Sequence, residues 1–560
     1  MKKILFISFL TCSMSIFGQQ EDAWIFLKDK PNESFFLNNP LKMLSQRAID
    51  RRIAQQVMLN NVDVPIDSLY FATLKSIKNV SILGKSKWLN AVHVKAPKKT
   101  IDSIFTSLSF THKIEFADKS LNNLSNKSTR TGYHKKHNNH KNKLNSLTAV
   151  FNYGAANTQI KMLNGHFLHN KGYTGKGQII AILDAGFPEV NTLPAFQRIR
   201  ANNQILGGYN FADRNTNIYS RNNHGTHVLS TIAGYLKDRF LGTAPDAEFY
   251  LFITEIEESE TVLEETLWVE AAEKADSLGV DVINTSLGYS TFDNFKHNYS
   301  YADMDGKTTF ISRGANIAAS RGILVVNSAG NSGNDSWKYI TAPADAENVI
   351  SVGAINKDSI IASFSSFGPT IDGRIKPEIL ALGVNSAVVN ATNGNISLAN
   401  GTSFSSPIMA GLIACLNGKE VVYTKTSNAI NAPIKNYFLK KSLIESADKF
   451  LNPTAQYGFG IPNFETAYLN YTDSTSSINE STFASIKVVP NPIEKEFSIV
   501  GFTNTNSTFD IKVYTILGEV VYQKSASSTS EIHKLNVSRG FYFLSIKQGK
   551  LEKILKIIVK

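Results

Sequence analysis

Short apolar runs at residues 179–183, 280–283, 323–326 and 349–352 limit what this chain can fold into. A strand with one wet face alternates apolar and polar residues, whereas a strand covered on both faces reads as nearly continuous apolar sequence. Only Asp281 and Ser351 interrupt these runs. Helical segments lie among them, at residues 226–236, 263–278 and 405–416. The pattern predicts an α/β domain over residues 148–470, with a parallel sheet and helices on both faces.

The 560 residues exceed one ordinary domain, and the flanks read differently from the centre. Residues 1–19 form an export signal, with Lys2 and Lys3 ahead of a short apolar stretch from Ile4 to Leu10. That stretch is too short for a membrane span, and no later segment offers the apolar length for one. Phe9, Leu10 and Thr11 before Cys12 make a poor lipoprotein site. Residues 20–118 spell strand, helix, strand, strand, helix, strand, the order of a small ferredoxin-like module. The stretch at 120–146 is rich in Asn, Lys, His and Ser and buries too little to fold, so it reads as a protease-accessible linker. The N-terminal region therefore spans 20–147 with its linker. A second polar linker is expected at 471–485. A small all-β sandwich follows at 486–560, where Phe509, Ile511 and Val513 alternate with Asp510, Lys512 and Tyr514.

Composition narrows the function. The formal charge of +11 lies largely in lysine-rich stretches, with no nucleic-acid-binding motif beside it, so it reads as a solvated surface and no nucleic-acid partner is expected. Loss of the export signal leaves Cys415 alone, so no internal disulfide is available and the fold rests on its core. Gly172, Gly175 and Gly177 precede a strand instead of following one, which argues against a dinucleotide loop. A Gly-x-Ser-x-Gly elbow is missing from the sequence, which argues against an α/β-hydrolase.

Three polar positions stand at element ends: Asp184 after the run 179–183, His224 in His224-Gly225-Thr226-His227-Val228, and Ser403 in Gly401-Thr402-Ser403. In open α/β sheets, function collects at the carboxyl ends of strands. A hydroxyl becomes a nucleophile when an imidazole takes its proton, and a carboxylate orients and stabilises that imidazole. Acyl transfer also needs donors for an oxyanion. Asn331, after the run 323–326, and the backbone N–H of Ser403 are the candidates.

In their order, Ile182-Leu183-Asp184-Ala185-Gly186, the His224 motif, Asn284-Thr285-Ser286-Leu287-Gly288, Ala329-Gly330-Asn331 and Gly401-Thr402-Ser403 resemble the subtilisin-like serine peptidases. The resemblance implies an endopeptidase acting on proteins or peptides, with Ser403 as nucleophile, His224 as base, Asp184 orienting it and Asn331 in the oxyanion hole. It assigns Ser286, Leu287, Gly288 and Ser328, Ala329, Gly330 to strands that bind the substrate. It requires no cofactor for the chemistry. Structural calcium is common in the family, and Asp303 and Asp305 are the candidate acids, with a merely solvated loop as the bland alternative. Ala185, Leu229-Ser230 and Leu382 depart from the usual pattern in places that touch packing and specificity rather than proton transfer. Residues 20–118 look like the family's inhibitory propeptide. Residues 486–560, with Val489-Pro490-Asn491-Pro492, Leu517-Gly518 and Gly540-Phe541-Tyr542-Phe543-Leu544, resemble a type IX secretion sorting domain. The expected partners are substrates, the propeptide and the secretion machinery, and the expected location is the cell surface or the medium. The competing readings are a processing protease of restricted specificity and a non-catalytic surface protein on the same scaffold.

Overall fold

The computed structural model describes residues 19–122, 151–421, 433–476, 487–500, 509–515, 519–526, 531–548 and 551–560. The export signal, nearly all of the basic linker, the Leu517-Gly518 turn and much of the second linker lie outside the described residues. Among the described residues, no helix is long and apolar enough to cross a membrane. The chain forms two compact units, the second comprising the C-terminal β region.

The centre of the first unit is a seven-stranded sheet. Its strands run, edge to edge, Ile379–Leu382, Ile350–Ile355, Leu324–Ser328, Val282–Thr285, Ile179–Asp184, Glu248–Ile253 and Ile205–Asn210. Every pairing between them is parallel. The four runs expected from sequence are four of these strands. The other three were not legible: Glu248–Ile253 mixes Glu and Tyr with apolar residues, and Ile205–Asn210 carries two glycines.

Alternate residues of the strands serve opposite faces. Ala181, Leu183, Ile283 and Val325 join one apolar cluster with the helices Val262–Leu278 and Phe310–Ser320. The helix Thr402–Asn417, buried along its whole length, packs against the sheet together with the helix His224–Ala233. The long helix Val262–Leu278 is bounded as its sequence dictates. Glu264 accepts a hydrogen bond from the Thr261 N–H at 2.8 Å, and Gly279 ends the helix in the left-handed region at φ +85°.

The N-terminal module forms a four-stranded antiparallel sheet in the order Ser81–Ser86, Ala91–Pro97, Gln20–Leu27, Thr111–Phe116. With the helices Ser68–Ser76 and Lys98–Ser107, this is the expected ferredoxin-like arrangement. Two further helices, Glu33–Asn38 and Gln46–Ala54, were not anticipated. The module lies on the helices Val262–Leu278 and Phe310–Ser320. Trp24 stacks on Phe310 with ring centroids 4.8 Å apart, and its indole N–H donates to Thr266 Oγ1 at 3.0 Å.

In the second unit, two antiparallel sheets of three and four strands share one core containing Phe497, Ile499, Ile511, Val513, Leu544 and Ile557. Phe509, Ile511 and Val513 point inward as their alternation requires. The helix Phe464–Ser476 runs past residue 471, where the second linker was expected to begin.

Candidate active site

Asp184 is the last residue of a central strand and is fully buried. Its Oδ1 accepts the Ala185 N–H at 2.8 Å and lies 2.7 Å from Nδ1 of His224. His224 is the first residue of its helix, and its own N–H donates to Asn222 Oδ1 at 2.8 Å. This helix start can approach the strand end because Gly225 has no side chain. A Cβ there would lie 2.4 Å from the Gly186 carbonyl oxygen and 3.0 Å from the Asp184 Cβ. Burial pushes the imidazole toward its neutral form, but the Asp184 charge and hydrogen bond outweigh it, and the pKa of His224 rises above the ordinary value.

Ser403 stands in the first turn of the buried helix Thr402–Asn417. Its hydroxyl donates to the Ser286 carbonyl at 3.3 Å, and its own carbonyl accepts the Ser286 hydroxyl at 2.9 Å. Among the described contacts, none joins Ser403 to His224 by a hydrogen bond. The two sides meet through Phe404, whose ring centroid is 5.9 Å from that of His224.

Asn331 is exposed, but its amide is oriented. Oδ1 accepts the Thr402 N–H at 2.8 Å and the Thr402 hydroxyl at 2.9 Å. With the oxygen so occupied, the NH₂ group must point the other way. A Cβ on Gly401 would lie 3.7 Å from Asn331 Nδ2 and 3.6 Å from the Ser403 nitrogen, so both donors flank the same glycine. Thr402, which holds Asn331, was not singled out from sequence. It was visible only as the middle residue of Gly401-Thr402-Ser403.

Residues 286–288 and 328–330 follow or end the neighbouring strands Val282–Thr285 and Leu324–Ser328, and their glycines pack closely against the protein itself. A Cβ on Gly288 would come within 2.0 Å of Thr341 Oγ1. One on Gly330, whose φ is +110°, would come within 2.8 Å of Ser366 Oγ. Ala329 spends its N–H on the Val352 carbonyl and its carbonyl on the Thr341 N–H. The Leu287 carbonyl accepts Asn327 Nδ2 at 3.1 Å and Ser328 Oγ at 3.4 Å. Ser286 and Ser328 are buried, whereas Gly288 is exposed.

The departures from the family pattern are accommodated. Ser230 donates to the His227 carbonyl at 2.6 Å and accepts the Val389 N–H at 2.9 Å, and Leu382 is buried. Asp303 and Asp305 do not fit a calcium site. Asp303 accepts from the Ser300 N–H at 2.7 Å and pairs with Lys119 at 2.7 Å. Asp305 accepts from the N–H groups of Lys307 and Thr308. Among the described residues, no group of three or more metal-ligating side chains is gathered.

Comparison with known proteins identifies the family of the chain and of its flanking modules. Residues 175–460 match the subtilase family, residues 22–135 the Peptidase S8 propeptide domain of Bacteroidota, and residues 487–560 the secretion system C-terminal sorting domain. Subtilisin BL of Lederbergia lenta is 31% identical over 300 residues, which cover 53% of this chain and 93% of the relative. Subtilisin Savinase of Lederbergia lenta is 32% identical over 301 residues, covering 53% and 93%. Subtilisin E of Bacillus subtilis (strain 168) is 30% identical over 315 residues, covering 55% and 70%. The chain belongs to the subtilase family of serine peptidases and carries that family's propeptide domain and a C-terminal secretion sorting domain.

Proposed function

We propose that this peptidase is an endopeptidase that cleaves proteins through an acyl-enzyme on Ser403. The observation that carries the reading is the 2.7 Å contact between Asp184 and His224, with Ser403 and an oriented Asn331 at adjoining element ends. Rotation about one side-chain bond turns the Ser403 hydroxyl from the Ser286 carbonyl toward the imidazole. His224 then takes the hydroxyl proton as Oγ attacks the scissile carbonyl, and Asp184 stabilises the imidazolium. The Asn331 amide and the Ser403 N–H, at the positive end of a buried helix, receive the oxyanion. His224 returns its proton to the leaving amine, and water releases the acyl group by the same route. The substrate chain lies along residues 286–288 and 328–330, with the exposed Gly288 as its open approach.

The flanking modules complete the proposal. Residues 20–118 cover the peptidase until the 120–146 linker is cut, which makes the nascent chain a zymogen. Residues 486–560 act as an address for a type IX secretion machine, which delivers the enzyme to the cell surface or the medium. The proposed domain limits are those read from the sequence, 1–19, 20–147, 148–470, 471–485 and 486–560, except that the helix Phe464–Ser476 crosses the limit at 470.

Ser403→Ala should abolish hydrolysis of denatured casein while leaving the thermal unfolding midpoint near that of the parent. Casein turnover by the folded variant would remove Ser403 from the mechanism. Asn331→Ala should lower kcat by about 10²–10³-fold with little change in KM, the range known for a lost oxyanion donor in subtilisin. A change confined to KM would contradict the oxyanion role.

The raised His224 pKa sets the acid limb of activity. The base works only when neutral, so kcat/KM should rise with pH and level off only above the ordinary histidine value. Asp184→Asn removes the charge, the larger of the two influences that raise the pKa. It should shift that limb to lower pH and cost about 10⁴-fold in kcat. An unmoved limb in Asp184→Asn would show that another group controls it.

Deleting residues 486–560 in the native host should retain active peptidase inside the cell envelope, as measured by casein hydrolysis in lysate and medium. Normal release of the truncated enzyme would overturn the sorting role.

A further inference from the structure

The helix Gln46–Ala54 interrupts the ferredoxin-like order and sends its arginines out of its own module. Arg51 pairs with Asp276 of the helix Val262–Leu278 and donates to the Val280 carbonyl. It also reaches the Arg321 carbonyl at 3.5 Å. Arg52 bridges Asp276 at 2.7 Å and Asp63 of its own module at 2.8 Å. Arg321 returns the contact, pairing with Asp63 at 3.3 Å. The side chains of Arg51, Arg52, Asp63 and Asp276 are all within 5% of complete burial.

Three cations and two carboxylates do not balance. The C-terminal ends of two peptidase helices supply the remaining negative charge. Val262–Leu278 ends at Gly279 and Phe310–Ser320 ends at Arg321, so the negative end of each helix dipole lies beside the guanidinium groups. Arg47 adds a third contact, donating to the Gly279 carbonyl at 3.1 Å and pairing with Asp281. The surface is shaped for this segment. A Cβ on Gly279 would lie 2.8 Å from the Arg47 side chain, and one on Gly322 would lie 3.0 Å from that of Gln55. Gln55 extends the contact to a third helix, donating to Asn436 Oδ1 at 2.6 Å.

We propose that residues 46–63 form a latch, and that the paired helix ends around Asp276 are its guanidinium receptor on the peptidase. Through Arg51 and Arg52, the latch sets the rate at which the N-terminal module leaves once the linker is cut. The proposal rests on the propeptide role given above, and it adds the contact that controls release. The rest of the interface is a separate attachment that includes Trp24 on Thr266 and Phe310, Glu273 accepting from the Lys87 and Trp88 N–H groups, and the Arg313–Glu115 pair. Loss of both guanidinium groups leaves Asp276 desolvated and unpaired, a larger penalty than loss of an exposed ion pair.

The test uses the full chain bearing Ser403→Ala, with a cleavage site for an added specific protease placed in the 120–146 linker. After cutting, release of a dye-labelled N-terminal fragment is timed on dilution. The parent fragment should stay bound, and Arg51→Met with Arg52→Met should release it at least 100-fold faster. Arg51→Lys keeps the charge but loses the forked geometry, so it should fold and release about tenfold faster. That variant decides the matter if the double variant does not fold. Lys98→Gln, which breaks an exposed pair within the module, should release at the parent rate. Equal release from all four chains would overturn the latch. The same cut in the chain with Ser403 intact separates the underlying reading. Casein hydrolysis should appear only as the fragment leaves, whereas full activity with the fragment still bound would remove the inhibitory role but not the latch.

Discussion

The distance between the end of one strand and the start of one helix governs the rest of the site. Asp184 and His224 meet because Gly225 lets the helix start settle against Gly186 and the Asp184 Cβ with no room for a side chain. The aspartate is buried at its strand end, and that burial gives its charge leverage over the imidazole. Strand order follows from the same need. Ile179–Asp184 lies beside Val282–Thr285, which leads into Ser286, and the next strand, Leu324–Ser328, leads toward Asn331. Parallel pairing places the carboxyl ends of all these strands on one edge of the sheet.

Smallness near the site has two different physical origins. At Gly225, Gly288 and Gly330, an added Cβ would meet neighbouring protein atoms below ordinary contact distance. These residues are small because the protein packs against itself there. Gly401, with nothing nearer than 3.6 Å to its Cβ position, is different. Its φ of +147° is a backbone conformation that side chains disfavour, and it turns the chain between Asn331 Nδ2 and the Ser403 nitrogen. Glycines that look alike in the sequence therefore do separate work, and only the last directly shapes the proposed oxyanion region.

Much of this was legible in the sequence, for identifiable reasons. Strands buried on both faces announce themselves as apolar runs, and the residue types at their ends narrowed the chemistry. The helix Gln46–Ala54 was hidden because its buried residues include Arg51 and Arg52, so no apolar stripe marked it. The strand Ile205–Asn210 was hidden by its glycines. The hold of Thr402 on Asn331 depends on a turn geometry that residue type alone does not specify. Residue type alone also did not reveal that Gly288 and Gly330, assigned to substrate-binding strands by resemblance, pack closely against Thr341 and Ser366.

The central claim is that one hydroxyl, activated by the Asp184–His224 pair, carries the acyl group. The direct measurement is mass-spectrometric mapping of the mature enzyme after inactivation with a fluorophosphonate. The account predicts one adduct, on the peptide containing Ser403, appearing in step with the loss of casein hydrolysis and abolished by His224→Ala. An adduct on a different residue, or full inactivation with Ser403 unmodified, would contradict it.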